Sequence, residues 1–158
     1  MRVLYFLAWA AALPFLFLHL LWRARRQPEY LRHWGERLGL GPSASDRPRV
    51  LIHAVSVGET RASAPLVKAL QARHPGLEIL LTHTTPTGRA TGRELFGTGV
   101  VQSYLPYDFA PLVGLFLERS RPSACLVMET EIWPEWFLAC RARRIPAFLV
   151  NARLSERS

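Results

Sequence analysis

Apolar residues fill one unbroken stretch near the start of the chain and then recur in short runs separated by longer amphipathic ones. The first stretch, Val3 to Trp22, carries no charge in twenty residues and departs from apolar character only at His19. As a helix it would reach about 30 Å at 1.5 Å per residue, the thickness of a bilayer core. After it, the pattern predicts strands over Arg49–Val57, Glu78–His83, Val100–Leu105, Ser123–Met128 and Ile145–Val150. Between them it predicts helices over Glu59–His74, Pro86–Phe96, Phe109–Ser120 and Pro134–Arg143. Strand runs such as Ala124-Cys-Leu-Val-Met are apolar at every position, as expected where helices cover both faces of a sheet. The fold class expected is therefore α/β, a doubly wound parallel sheet.

The leading stretch reads as an uncleaved anchor. A cleaved signal would have a shorter apolar run and a small-residue site after it, whereas Trp22-Arg-Ala-Arg-Arg follows directly. Pro14 is tolerated in a membrane helix, and Tyr5, Trp9 and Trp22 suit the interface. Arg2 alone precedes the stretch, while Arg23, Arg25, Arg26, Arg32 and Arg37 follow it. That asymmetry predicts a single pass with the amino terminus outside the cytoplasm and the rest of the chain within it. The alternative is a hydrophobic hairpin that lies on the membrane or docks into a partner. Turn formers from Gly39 to Arg49 read as a linker. The expected division is a transmembrane anchor over 1–25, a basic juxtamembrane segment and linker over 26–48, and a folded domain over 49–158.

Composition narrows the functions. The formal charge of +8 is almost wholly arginine, with Lys68 the only lysine, and it implies an anionic partner: nucleic acid, anionic lipid or a phosphorylated substrate. The basic residues cluster only at the membrane end, and no nucleic-acid module is recognisable, so nucleic acid is not expected. Cys125 and Cys140 are too few for a disulfide scaffold or a zinc site and suggest a reducing compartment. The five histidines lack ligand spacing. No metal or cofactor is expected, and no phosphate-binding loop or dinucleotide fingerprint occurs.

In a doubly wound sheet, ligands gather beyond the carboxyl ends of the strands. Those exits are Ser56-Val-Gly-Glu59, His83-Thr-Thr-Pro-Thr-Gly88, Pro106-Tyr-Asp108, Glu129-Thr-Glu131 and Asn151-Ala-Arg153. Each also has a structural explanation. Ser56 and Glu59 have the spacing of a capping box, with the serine bonding the glutamate amide and the glutamate reaching back to the serine amide. Thr85 before Pro86 is an N-cap signature, and Asp108 looks like another. The free amides at Thr85 to Gly88 could equally receive a phosphate, with Arg89 and Arg93 nearby. Glu129 and Glu131 resist a capping explanation, because two carboxylates so close need cations, donors or a shared proton.

Six strings carry a resemblance over essentially the whole chain. They are Trp34-Gly-Glu-Arg-Leu, His53-Ala-Val-Ser-Val-Gly-Glu-Thr60, Thr84-Thr-Pro-Thr-Gly88, Tyr104-Leu-Pro-Tyr-Asp108, Met128-Glu-Thr-Glu-Ile-Trp-Pro134 and Asn151-Ala-Arg-Leu-Ser-Glu-Arg-Ser158. Together they resemble the amino-terminal half of the transferases of 3-deoxy-D-manno-octulosonic acid (Kdo), which act in bacterial lipopolysaccharide synthesis.

The resemblance implies a Rossmann-like domain that is the first half of a GT-B glycosyltransferase. It implies metal-independent, inverting transfer from CMP-Kdo to a lipid A precursor (lipid IVA) in the cytoplasmic leaflet of the bacterial inner membrane. By motif, Glu59 would be the general base and Glu129 would stabilise the transition state. Ser56, Gly58, Thr84, Thr85, Thr87, Gly88, Glu131, Asn151 and Arg153 would line the substrate site. His83 and Arg89 match no part of the pattern and receive no catalytic role. The family's second domain, which binds the donor, has no counterpart in this chain, so the chain alone is expected to be an inactive acceptor-binding half. The functional alternative is a non-catalytic, membrane-anchored module for an anionic lipid or a protein partner.

Overall fold

The computed structural model of the chain describes residues 2–129 and 131–152. It opens with a continuous helix, α1 (Arg2–Ala24), which keeps Pro14 within it. Over Leu4–Ala24 this helix has a mean hydropathy of 2.0, long and apolar enough to cross a membrane, a test that a signal sequence also passes. A 3-10 turn (Pro28–Leu31) and a one-turn helix, α2 (Trp34–Arg37), lead to the sheet.

Five strands follow: β1 (Arg49–His53), β2 (Glu78–His83), β3 (Val101–Tyr104), β4 (Ala124–Met128) and β5 (Ala147–Val150). All pair in parallel in the order β3-β2-β1-β4-β5, so the expected α/β class and Rossmann-like sheet are what the chain forms. Successive side chains alternate between faces. Leu51, Leu80 and Cys125, neighbours in the ladder, pack against α6 (Ala110–Ser120) and α7 (Pro134–Ala142) through Phe116, Leu117 and Trp136. Ile52, Ile79, Leu81 and Met128 face the other side, toward Val67 and Leu70 of α4 (Ala64–Arg73) and Phe96 of α5 (Pro86–Phe96).

The expected helix over Glu59–His74 is instead two, α3 (Val57–Ala62) and α4, meeting at Ser63. Pro65 has no N–H to give the Arg61 carbonyl, and its ring would crowd that carbonyl in a continuous helix. The Ser63 hydroxyl bonds the Thr60 carbonyl at 2.7 Å in the bend. β1 ends at His53, four residues earlier than expected, because the chain turns away to cap α3.

The turn-rich segment before β1 is laid against α6. A Cβ on Gly41 would come within 2.3 Å of the Phe116 ring, and Arg119 donates to the Gly41 carbonyl at 3.2 Å. Buried Arg49 gathers the same segment, donating to the Ser43 carbonyl (2.8 Å) and the Ser120 carbonyl (2.9 Å) and pairing with Glu78.

Candidate active site

The strand order reverses between β1 and β4, since the chain steps outward from β1 to β3 and then returns to β1's other side. A crevice opens at such a reversal, beyond the carboxyl ends of the two strands. β1 delivers Ser56 and Glu59 to it, and β4 delivers Glu129 and Glu131.

Ser56 sits in extended backbone as the N-cap of α3. Its oxygen accepts the Glu59 N–H at 3.3 Å, and its hydroxyl donates to Glu59 Oε1 at 3.0 Å. The other carboxylate oxygen accepts the Val55 N–H at 2.9 Å. The reciprocal cap expected from spacing is present, with its return bond one residue earlier than Ser56: the hydroxyl holds one oxygen and turns the other toward Val55. Glu59 is buried.

The Val55 peptide is held from both sides. Thr85, the N-cap of α5, donates its hydroxyl to the Val55 carbonyl and accepts the Gly88 N–H, both at 3.1 Å. Gly88 allows this approach, because a Cβ there would meet the Val55 carbonyl oxygen at 3.0 Å and Thr85 Oγ1 at 3.1 Å. Its amide is engaged by Thr85, so the α5 start does not present it to an anion. Thr60 ties the α3 turn down by donating to the Ser56 carbonyl at 2.7 Å.

Two buried histidines back this turn. His83 places Nδ1 3.0 Å from the Ala54 carbonyl, an acceptor only, so the proton sits on Nδ1. Nε2 then accepts from the Gln102 side-chain amide at 3.1 Å. His53 Nδ1 lies 3.0 Å from the Thr82 hydroxyl. Burial pushes the imidazole pKa down to about 3 at His53, with repulsion from His83 adding to it. Burial likewise takes His83 down to about 4. Both are neutral at physiological pH with their polar atoms turned inward, which leaves carboxylates as the acid and base groups of the crevice.

Glu131 is half-buried. Burial raises its carboxyl pKa, and the charges of Glu59 and Glu129 raise it further, which ties the β1 and β4 exits together electrostatically. Glu129 is exposed and left-handed at φ 59°, and its N–H bonds the Val150 carbonyl at 2.8 Å. Asn151, exposed at the exit of neighbouring β5, is left-handed too, at φ 58°. Such backbone costs a non-glycine residue of order 1 kcal/mol and concentrates at functional sites.

Ser56, Glu59, Thr85 and Gly88 thus form one hydrogen-bonded cluster through Val55. Gly58 and Thr87 are exposed in the first turns of α3 and α5. Thr84 gives its carbonyl to Arg37 at 2.9 Å. Asn151 stands one strand further out, and Arg153 lies outside the described residues.

Three long-range arrangements escape sequence reading. Asp108 does not cap α6, whose N-cap is Phe109. Its buried carboxylate crosses to the start of α7, accepting the Trp136 N–H at 2.9 Å and the Glu135 N–H at 3.1 Å, and it accepts the Tyr5 hydroxyl of α1 at 2.7 Å. Glu36 of α2 pairs with Arg89 and accepts the Tyr104 N–H at 2.8 Å. The guanidinium groups of Arg37 and Arg89 lie 3.9 and 4.9 Å from the centre of the Tyr104 ring. Beside this stack, a cavity of about 210 Å³ is lined by Glu29, Arg32, Arg89 and Arg93. The sequence signal was the Trp34-Gly-Glu-Arg-Leu string, whose spacing names no partner. The two cysteines, distant in sequence, meet in the core as free thiols with sulfurs 3.8 Å apart.

Known proteins match this chain along its length. The profile of a family described as 3-deoxy-D-manno-octulosonic-acid transferase (kdotransferase) matches residues 32–158. A 3-deoxy-D-manno-octulosonic acid transferase of Bordetella pertussis is 44% identical over 167 residues, covering 99% of this chain and 38% of the relative. One of Haemophilus influenzae is 42% identical over 135 residues, covering 84% of this chain and 32% of the relative. A probable mitochondrial one of Arabidopsis thaliana is 36% identical over 147 residues, covering 92% and 33%. The chain spans about a third of the length of these relatives. On this family profile and these identities, the chain belongs to the 3-deoxy-D-manno-octulosonic-acid transferase (kdotransferase) family.

Proposed function

We propose that this chain is the acceptor-binding half of a glycosyltransferase that moves Kdo from CMP-Kdo to a lipid A precursor, lipid IVA, with inversion. Its division into an anchor (1–25), a basic segment (26–48) and an acceptor domain (49–158) serves that role. The anchor holds the globular part on the cytoplasmic side of a bacterial inner membrane. The observation that carries the reading is Glu59. It is a buried carboxylate at the sheet's reversal, fixed by the Val55 N–H and the Ser56 hydroxyl, and its charge reaches Glu131 at the β4 exit.

In the proposed reaction a sugar hydroxyl of the acceptor attacks the anomeric carbon of Kdo. The bond to the CMP phosphate breaks with its electron pair on the phosphate, and the hydroxyl proton passes to Glu59. An alcohol is too weak an acid to ionise beforehand, so the base must take the proton as the new bond forms. The two bonds to Glu59 set where its oxygens lie, which is the positioning a base needs. Glu129 would stabilise the transition state. Ser56, Gly58, Thr84, Thr85, Thr87, Gly88, Glu131, Asn151 and Arg153 would surround the acceptor sugar. The donor would be held by the part of the relatives that this chain does not span.

Titrating the purified chain, in detergent, with lipid IVA tests the assignment of this half. Saturable binding, with no Kdo transferred when CMP-Kdo is added, is the expected result. Transfer by the chain alone would overturn the division of labour, and absence of binding would remove the acceptor role.

A further inference from the structure

We infer that α1 lies in the plane of the membrane surface, held against the globular part at both of its ends, and does not cross the bilayer. Tyr5, Trp9, Leu13, Leu16, Leu20 and Ala24 are among its shielded side chains, recurring every three or four residues as a single helical stripe. That stripe meets the rest of the protein at both ends. In the first turns, the Tyr5 hydroxyl bonds Asp108 at 2.7 Å, the Phe6 and Phe109 rings lie 4.8 Å apart, and Trp9 faces Tyr107 at 6.1 Å. In the last turns, Phe17 meets Trp34 at 4.6 Å, and Leu20 and Ala24 pack on Tyr30.

Tyr5 and Ala24 are separated by about 28 Å of helix, nearly the full hydrocarbon thickness. Were α1 to span with Arg23 at the cytoplasmic surface, the Tyr107–Phe109 loop would sit near the opposite surface. The Asp108 carboxylate and the helix start it caps would then lie in lipid. A folded domain with buried ion pairs and an arginine-rich surface does not partition there. The contacts and a spanning orientation are therefore incompatible.

The opposite face of α1 is apolar and open: Leu4 is 72% exposed, Phe15 71%, Leu18 64%, Leu7 56% and Trp22 53%. With Leu21 this amounts to roughly 700 Å² of apolar surface, above the largest patch of a typical soluble monomer. The occupant is the surface of an anionic lipid bilayer. No charge interrupts the face, and Arg23, Arg25, Arg26 and Arg32 follow it immediately. Arg23 and Arg26 stack on Tyr30 and Trp22 at 4.5 and 5.3 Å, holding guanidinium groups at headgroup level beside aromatic rings. Because Asp108 joins α1 to the start of α7, the crevice follows α1 to the lipid surface. Only this last consequence, delivery of a lipid-borne acceptor to the crevice, rests on the proposed function.

The test places a nitroxide on a single cysteine at Leu4, Ala11 or Leu18, which share the open face. The full chain is bound to vesicles of phosphatidylethanolamine and phosphatidylglycerol; the native cysteines are buried and do not label. Relaxation by oxygen against a water-soluble nickel chelate then reports depth. The expected result is one depth for all three labels, to within about 2 Å, some 5–10 Å below the headgroups and on the side where the protein was added. The inference is overturned if Ala11→Cys reads about 10 Å deeper than the other two, with Leu4→Cys and Leu18→Cys reached from opposite sides. Labels that oxygen does not reach would show protein covering this face and would overturn it equally. The readout involves no sugar transfer, so it stands or falls apart from the enzymatic reading.

Discussion

Lowering the pH from 7.5 to 5.5 is expected to cost this fold about 3 kcal/mol, through two side chains. His53 and His83 are 1% and 0% exposed. Their folded pKa values, about 3 and about 4, lie below the ordinary value of 6.5. A depressed folded pKa means that the unfolded chain binds the extra proton. The stability is therefore fully present above pH 6.5 and falls as the pH drops toward the folded values. At pH 5.5 an unfolded histidine is about nine-tenths protonated while both folded rings remain neutral, a difference of about 1.4 kcal/mol per ring. Carboxylates with unfolded pKa values near 4 contribute little in this window. Urea titrations followed by circular dichroism, in one mild detergent at both pH values, measure the difference. Imidazole NMR should find two rings that stay neutral below pH 5. Equal stability at the two pH values, or the absence of two rings that stay neutral below pH 5, would refute the burial of His53 and His83. Protonating Nε2 of His83 would also face a proton toward the Gln102 amide and loosen the platform under Thr60 and Ser56.

Gly88→Ala should destabilise the chain by about 1–3 kcal/mol through overpacking against Val55 and Thr85. Gly76→Ala, with open space around it, should leave the urea midpoint unchanged or slightly raised. Asp108→Ala removes the acceptor shared by the Glu135 and Trp136 amides and the Tyr5 hydroxyl. Its cost should be at least that of a lost cap, about 0.5–2 kcal/mol, measured as a lower urea midpoint. In an active enzyme carrying this half, Glu129→Ala should slow transfer more than Glu131→Ala at equal folded fraction; the reverse order would transfer the catalytic role to Glu131.

The sheet was legible because runs such as Val50-Leu-Ile, Ile79-Leu-Leu and Ala124–Met128 are apolar at every position, so Leu51, Leu80 and Cys125 could be assigned to a covered interior before their register was known. The Ser56–Glu59 and Thr85–Gly88 caps were legible because they join residues three apart. What stayed hidden joins residues far apart in the chain: Asp108 to α7 and Tyr5, Glu36 to Arg89, and Cys125 to Cys140. A carboxylate next to a helix looks like that helix's cap, and nothing local tells Asp108 to serve a different one. The break at Ser63 follows from Pro65, but the apolar period runs through it and predicts one helix. The left-handed turn at Glu129 carries no sequence mark, because glutamate does not favour that region, whereas asparagine at 151 is a residue that adopts it readily. The crevice itself follows from strand order, which periodicity does not reveal.

The most direct test of the central claim is the rate of Kdo transfer in a chimera that joins this chain to the remaining length of the Bordetella pertussis relative, compared with and without the substitution Glu59→Gln. Glutamine can keep the acceptor for the Val55 N–H and a hydrogen bond with the Ser56 hydroxyl, so the fold should lose no more than about 1–2 kcal/mol. It cannot take a proton, and the expected loss of rate from CMP-Kdo to lipid IVA is about 10²- to 10⁴-fold with acceptor binding retained. A Glu59→Gln chimera that melts a few degrees lower and still transfers Kdo at the rate of the unsubstituted chimera would show that Glu59 only caps α3, and would contradict the account.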